Sequence, residues 1–417
     1  MNIANILVSM DDNYGGPPKV AQGLGEKVAS LGNRVTYWTT ISPEEEGRSA
    51  HGTSNTHFFK RERPLTWYRS PALLKELGRS VSNIDVLHIH EIWSYPQLAT
   101  ARMASCRGVP YLIVPHGELE PWRIRRKGLL KFAKKRAYLS LFGLSMLRNS
   151  SCLHAITPNE IDGYRRIGYQ GPITVVPNGI DMRTYSDLPC PEEADRYWPQ
   201  LRNRRIVLFL SRLNSEKGLD QLIPAWKRLT ARDSYDDTLL VLAGPEDRGY
   251  GAVVRNLVQE HDIEDRVLLT GMVRDRKKLA LISRADVYTL PSHSEGFSIS
   301  VLENLAAGKP MLITPGCNFP EVAEANAGLC VPPEPDLLEG AFRQLLDMSK
   351  TERDAMGQRG RKLIHQNYTW DIAARKMITV YQCVLEGKEI PLHPQPAIVD
   401  MTPTGRACLG AGFKWNS

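Results

Sequence analysis

Short apolar runs recur along this chain, each followed by a polar, glycine-bearing loop and then by a segment with helical spacing. Near the start, ANILVSM predicts a strand and DDNYGGPPK a loop, and residues 20–31 predict a helix that stops at Gly32. RVTYWTT, rich in β-branched and aromatic residues, predicts the next strand. IDVLHIH, VPYLIVPHG, CLHAIT and PITVVPNG continue the series. The same order restarts near residue 205, where RIVLFLSRL, NSEKG, LDQLIPAWKRL and TLLVLAGP read as strand, loop, helix and strand. RVLLTG, ADVYTLPS and PMLITPG follow as strands. Strands alternating with helices imply parallel sheets with crossover helices on both faces, because parallel neighbours need a long connection. The restart implies two α/β domains, and loops facing each other would form a cleft. The linker falls within residues 181–203, which carry three prolines and many charges.

In open parallel sheets, ligands sit beyond the carboxyl ends of the strands. The unusual clusters of this chain fall at such ends: NYGG, HIHE, PHGE, SRLNSEKG, AGPED and SEGF. One glycine pair, Gly23 and Gly25, imitates a dinucleotide fingerprint. It lacks the third glycine and lies inside a predicted helix, so the plainer reading is small residues packing that helix on its sheet.

Arg212 and Lys217 stand at one strand end, just before a helix. Converging on a phosphate, each would contribute about 1.5–3 kcal/mol. A solvated lysine at a helix start opposes the helix dipole, which disfavours the bland alternative. In SEGFSISVLE, Ser298 or a neighbour can cap a helix running to about Ala307, with Gly308 stopping it. Glu295 then lies in the loop and Glu303 inside the helix. Carboxylates accept hydrogen bonds from hydroxyls, so one could hold a sugar and the other a ribose at the two ends of a diphosphate. Solvated surface charges are one alternative, and the acid and nucleophile of a glycosidase another; the latter gives Arg212 and Lys217 no task.

With SRLNSEKG, SEGFSISVLENLAAGKP, VVPNGID and PHGELEPW in view, the chain resembles the retaining glycosyltransferases of family 4 from about residue 5 to residue 386. That resemblance implies the GT-B fold, two Rossmann-like domains facing across a cleft. The boundaries expected are 1–182 for an N-terminal acceptor-side domain, 183–367 for a nucleotide-sugar domain, 368–388 for a last helix crossing back to the first domain, and 389–417 for a loosely ordered tail. It implies that Glu295 contacts the transferred sugar, Glu303 the ribose, and Arg212 and Lys217 the diphosphate. Gly15 and Gly16 would let the backbone approach the phosphates. His116 would lie near the reacting centre, and backbone groups of Met272 and Val273 near the base. Gly296, Phe297 and Ser298 complete the donor set. Two prolines follow Gly15 and Gly16 and remove backbone donors there, a departure that Lys19 could offset. Fixed cations aimed at a leaving diphosphate need no metal, and no D-x-D sequence stands in a plausible donor loop, so neither metal nor cofactor is expected.

HIHEIWSYP and PHGELEPWRIRRKG resemble bacterial enzymes that build exopolysaccharide or O-antigen chains on a lipid carrier. His90, Glu91, Trp93 and Glu118 are the acceptor candidates, because aromatic faces and carboxylates suit sugars. His88, His90 and His116 could suggest a metal, but alternating histidines on a strand are expected to point to opposite faces or the core. From Trp122 to Arg136 there are eight Lys or Arg and no acidic residue, interleaved with apolar positions. Arg123, Arg125, Arg126, Lys127, Lys131, Lys134 and Lys135 would meet an anionic membrane; a solvated helix face is the alternative. No nucleic-acid motif accompanies them.

Composition adds limits. The net charge of +7 is modest, and the seven cysteines are scattered without a C-x-x-C pair, which fits a reducing compartment. The N-terminus reads as a strand, not a signal peptide, and no apolar run is long enough to span a bilayer. The expectation is a cytoplasmic protein, peripheral at the inner face of the membrane. Phosphorylases or epimerases of the same two-domain type, and a non-catalytic nucleotide-sugar-binding subunit, are the competing readings.

Overall fold

The computed structural model describes residues 1–11, 14–42, 54–63, 67–120 and 129–397, with 129–131 as backbone only. The chain divides into two compact units, Ile180–Thr369 and the remainder, in which Met1–Gly179 is joined by the stretch from Trp370.

Among its described residues the first unit holds seven strands: β1 (Asn2–Leu7), β2 (Arg34–Ile41), β3 (Thr56–Lys60), β4 (Val86–His90), β5 (Tyr111–Val114), β6 (Cys152–Ala155) and β7 (Ile173–Val175). They form one sheet in the order β3-β2-β1-β4-β5-β6-β7, every pair parallel. β4 and β5 are buried at every position, as strands covered on both faces must be. The strand order reverses between β1 and β4, so the loops leaving these two strands diverge and open a crevice.

The first helix, Gly16–Ser30, begins at Gly16 rather than Val20. Prolines fit its first turn, whose N–H groups have no intrahelical acceptor. A Cβ at Gly23 would collide with the Trp370 indole and one at Gly25 with the Tyr37 hydroxyl, so both glycines serve packing. The helix Trp370–Glu386 belongs to this unit and buries Ala374, Met377, Ile378 and Tyr381 in the core that Leu24 and Val28 share. Residues 391–397, expected to be a loose tail, are fastened. Val175 N–H donates to Leu392 O at 2.7 Å, Thr174 Oγ1 to Pro391 O at 2.9 Å, and Ala397 N–H to Arg375 O at 3.1 Å. The edge strand β7 thereby finds partners that an exposed edge lacks. Residues 398–417 lie outside the described residues.

The second unit holds β8 (Arg205–Leu210), β9 (Thr238–Ala243), β10 (Val267–Gly271), β11 (Val287–Leu290), β12 (Met311–Ile313) and β13 (Gly328–Cys330). Their order is β10-β9-β8-β11-β12-β13, again with parallel pairs and a reversal, here between β8 and β11. β3 and β13 were not foreseen from the sequence. Among the described residues, no helix is long and apolar enough to cross a membrane.

Candidate functional site

The β8/β11 reversal brings together residues far apart in the chain. Lys217 leaves the loop after β8 and Glu295 the loop after β11. Lys217 Nζ donates to Glu295 Oε1. Both residues are buried, at 7% and 8% exposure. Gly218 makes the approach possible: its φ is 69°, and a Cβ there would sit 1.9 Å from Pro291 O. Ser292 Oγ adds a second bond to Glu295 Oε1 at 2.7 Å. Backbone bonds lock the loop, with Glu295 N–H donating to Gly316 O at 2.7 Å and Asn318 Nδ2 to Glu295 O at 2.6 Å. Oε1 is thus engaged twice, while among the described residues Oε2 has no bond and can accept one. Arg212 stands on the same strand end, its side chain 61% exposed and 3.5 Å from Asp247.

The helix Ile299–Ala306 starts just beyond this loop. Ser298 occupies the N-cap position but its side chain does not cap; Oγ meets Ser300 Oγ at 3.1 Å instead. Ser298 therefore makes no cap, and among the described residues no side-chain bond to the first amides is found. Glu303 lies inside the helix, where Lys278 Nζ donates to Oε1 at 2.6 Å. Tyr185, 3% exposed, lies beside Glu303 where the turn Met182–Tyr185 packs on this helix; burial, and then this carboxylate, raise its pKa. Phe297 packs among Phe319 and Tyr368, ring centroids 5.7 and 6.1 Å away, so its side chain supports the loop, and Gly296 beside it is half-buried. Met272, exposed, and Val273, buried, follow β10. That strand is two places from β8, roughly 10 Å at ordinary strand spacing.

In the first unit, the β1/β4 reversal gathers Tyr14 and Glu91. The Tyr14 hydroxyl bonds both carboxylate oxygens of Glu91, at 3.0 and 3.1 Å. Burial, then the neighbouring Glu118, push Glu91 up to about 8, against the lowering effect of the Tyr14 bond. Glu118 Oε2 accepts from Ile92 N–H at 3.3 Å. Glu91 and His116 have φ of 67° and 54°, left-handed conformations rare outside glycine. Gly15, at φ 125°, needs to be glycine for its backbone, and a Cβ at Gly15 or Gly16 would meet open space.

Two expectations are amended here. His88 and His90 lie in the core, as one of the two expected placements has it, but do not face opposite ways: their ring centroids are 4.9 Å apart, since residues i and i+2 of a strand share a face. His90 is also no acceptor contact. It is 1% exposed, with Nε2 on Asn5 Oδ1 at 3.1 Å and Nδ1 on His116 Nε2 at 3.0 Å. Asn5 Oδ1 can only accept, so His90 carries its proton on Nε2 and receives the His116 Nε2–H. The row continues inward: Tyr381 donates to His88 Nδ1 at 2.8 Å, His88 to His154 at 3.3 Å, and His154 to Val176 O at 2.7 Å. Burial, reinforced by adjacent rings, holds His88 and His90 well below the usual histidine range; burial takes His154 to about 4. Among the described residues, no group of three His, Cys, Asp or Glu could hold a metal ion.

Trp93 is half-buried under Tyr138, with Lys135 Nζ 4.5 Å above its ring. Lys135 is therefore engaged with the protein rather than offered to a membrane, whereas Lys134 is exposed. Arg123, Arg125, Arg126, Lys127 and the Lys131 side chain lie outside the described residues. Sequence reasoning missed Lys278, Tyr185 and Ser292, which no local pattern marks. Tyr14, directly before the glycine pair, could have been noticed.

Comparison with known proteins bears on the family and the fold. The model of Glycosyltransferase Family 4 matches residues 14–184, and that of Glycosyl transferases group 1 matches residues 192–363. An uncharacterized glycosyltransferase of Methanocaldococcus jannaschii is 26% identical over 407 residues, covering 89% of this chain and 96% of its own. Glycogen synthase of Mycobacterium tuberculosis is 27% identical over 342 residues, with 80% and 78% covered. The structure of Anabaena HepE in complex with UDP and glucose superposes with a TM-score of 0.71 at 16% identity, over 91% of this chain and 98% of that one.

Proposed function

Since this chain belongs to the family 4 glycosyltransferases of GT-B fold, we propose that it moves a hexose from a nucleoside-diphosphate-sugar to a saccharide acceptor, with retention of anomeric configuration. The observation that carries this reading is the buried Lys217–Glu295 pair at the β8/β11 reversal. In the proposed reaction the bond from the anomeric carbon to the diphosphate oxygen breaks, and its electron pair stays on the diphosphate. Arg212, Lys217 and the uncapped amides of the helix Ile299–Ala306 stabilise that charge. The acceptor hydroxyl attacks the face the diphosphate leaves, and passes its proton to the departing phosphate oxygen. Glu295 holds a sugar hydroxyl, Glu303 the ribose, and the backbone of Met272 and Val273 the base. No metal is required in this scheme.

The acceptor side of the reading rests on Glu91, Glu118 and Trp93 in the first unit, with Tyr14 added. The acceptor is a saccharide, lipid-linked, and the product a cell-surface polysaccharide. The basic run from Arg123 to Lys134 supports peripheral contact with an anionic membrane at its inner face. The test is a panel of UDP- and GDP-sugars with short saccharide acceptors, with and without EDTA. Release of nucleoside diphosphate with a product of unchanged anomeric configuration is expected, insensitive to chelator. An inverted product, or activity abolished by EDTA and restored by a divalent ion, would reject the mechanism.

A further inference from the structure

We infer that Lys278 and Tyr185 are positioning residues for Glu303, and that together they set how strongly the protein recognises the ribose hydroxyls of its nucleotide. The inference rests on reading Glu303 as the ribose ligand. Three separate elements meet around this carboxylate, Lys278 bonded to it and the Tyr185 turn packed on its helix. Glu303 comes from the helix Ile299–Ala306, Lys278 from the helix Asp275–Arg284, and Tyr185 from the single turn Met182–Tyr185. The Lys278 and Glu303 side chains are only 27% and 14% exposed, and Tyr185 is 3% exposed. A glutamate side chain has three rotatable bonds and, alone on a helix, would sample several rotamers. Held by an ammonium on Oε1 and confined by the buried Tyr185 ring beside it, it presents its remaining lone pairs in one direction.

The chemistry of the ligand follows from what is left over. An ionised carboxylate only accepts, so the group it meets must donate, and two vicinal hydroxyls match its two oxygens. A phosphate would be repelled by Glu303, and the Lys278 ammonium is already committed at 2.6 Å. Lys278 also offsets the negative charge that Glu303 would otherwise bring near a diphosphate. Neither Lys278 nor Tyr185 need touch the reacting atoms, so their effect should fall on donor binding and not on turnover.

The experiment is calorimetric titration with UDP, GDP and their 2′-deoxy forms against wild type, Lys278→Met, Lys278→Arg and Tyr185→Phe, with thermal melts to verify folding. Wild type should bind the ribo form about 10- to 100-fold more tightly than the deoxy form, the value of a hydrogen bond to a charged group. Lys278→Met should weaken the ribo form and lose most of that ratio, with Tyr185→Phe intermediate and Lys278→Arg partly restoring it. In turnover assays KM for the donor should rise while kcat changes little. A wild type that does not distinguish ribo from deoxy would reject Glu303 as the ribose ligand. A wild type that discriminates, with Lys278→Met and Tyr185→Phe keeping the full ratio, would overturn the positioning role alone. Tyr185→Phe is nearly isosteric and keeps the test decisive should Lys278→Met fold poorly.

Discussion

Lys217 and Glu295 form one energetic unit, so substituting either exposes the other's cost. Removing Lys217 strands a buried carboxylate, and breaking such a pair costs about 3–5 kcal/mol. Lys217→Met should therefore lower the melting temperature markedly. The double variant Lys217→Met, Glu295→Gln should lose less than the two single losses added, as a double-mutant cycle will reveal. Glu295→Gln alone keeps the volume and the Ser292 contact but removes the charge. It should abolish transfer while leaving nucleoside diphosphate binding nearly intact, whereas Glu303→Ala should weaken that binding; equal losses by calorimetry would reject the division of labour. Glu91 supplies a pH signature. Its folded pKa, about 8, lies above the usual carboxylate value, so the native state holds a proton that the unfolded chain releases. Its contribution to stability is thus lost as pH rises from about 4.5 to about 8. Glu91→Gln keeps a neutral group there, so its melting temperature should gain on wild type across that window; parallel curves would refute the assignment.

At the scale of elements, the histidine row couples β4 and β6 to the helix Trp370–Glu386 through Tyr381. His88, His90 and His154 have folded pKa values below the unfolded one, so their stabilisation is complete above about pH 6.5 and lost as pH falls below it, for His154 through about 4. Hydrogen exchange in that helix should accelerate over this range, and a His154→Gln variant should show a flatter dependence. Most strands were readable in the sequence because buried parallel strands are continuous apolar runs. β3 escaped because it is an edge strand, THFFK, with exposed positions, and β13 because three residues make no pattern. Of the two placements expected for the histidines, opposite faces or the core, the core is the one found, on the single face that their two-residue spacing dictates. Glu295, Lys217 and Glu303 could be named because they sit in recognisable segments. Lys278 and Tyr185 could not, since their only mark is a meeting with Glu303 created by the fold.

For the molecule as a whole, the charge of +7 matters only through where it lies. Because Lys135 covers Trp93, a membrane-release variant should spare it. Replacing Arg125, Arg126, Lys127 and Lys134 with Ser should release the protein from anionic vesicles, each basic residue contributing about 1 kcal/mol. Activity on a short soluble acceptor should survive. Wild-type sedimentation with vesicles should also fall with salt, as the screening length shortens from about 10 Å at 0.1 M to about 3 Å at 1 M. Equal binding by both proteins, or none by either, would favour a solvated helix face. The division of the chain also has a consequence for its biogenesis. Domains ordinarily fold in the order they leave the ribosome. Here the unit that begins at Met1 waits for the helix Trp370–Glu386, while Ile180–Thr369 is complete before that helix is synthesised. The second unit can reach its native state on the ribosome first, and the nascent first unit, with Leu24 and Val28 still uncovered, is the stage at which a chaperone would find this protein.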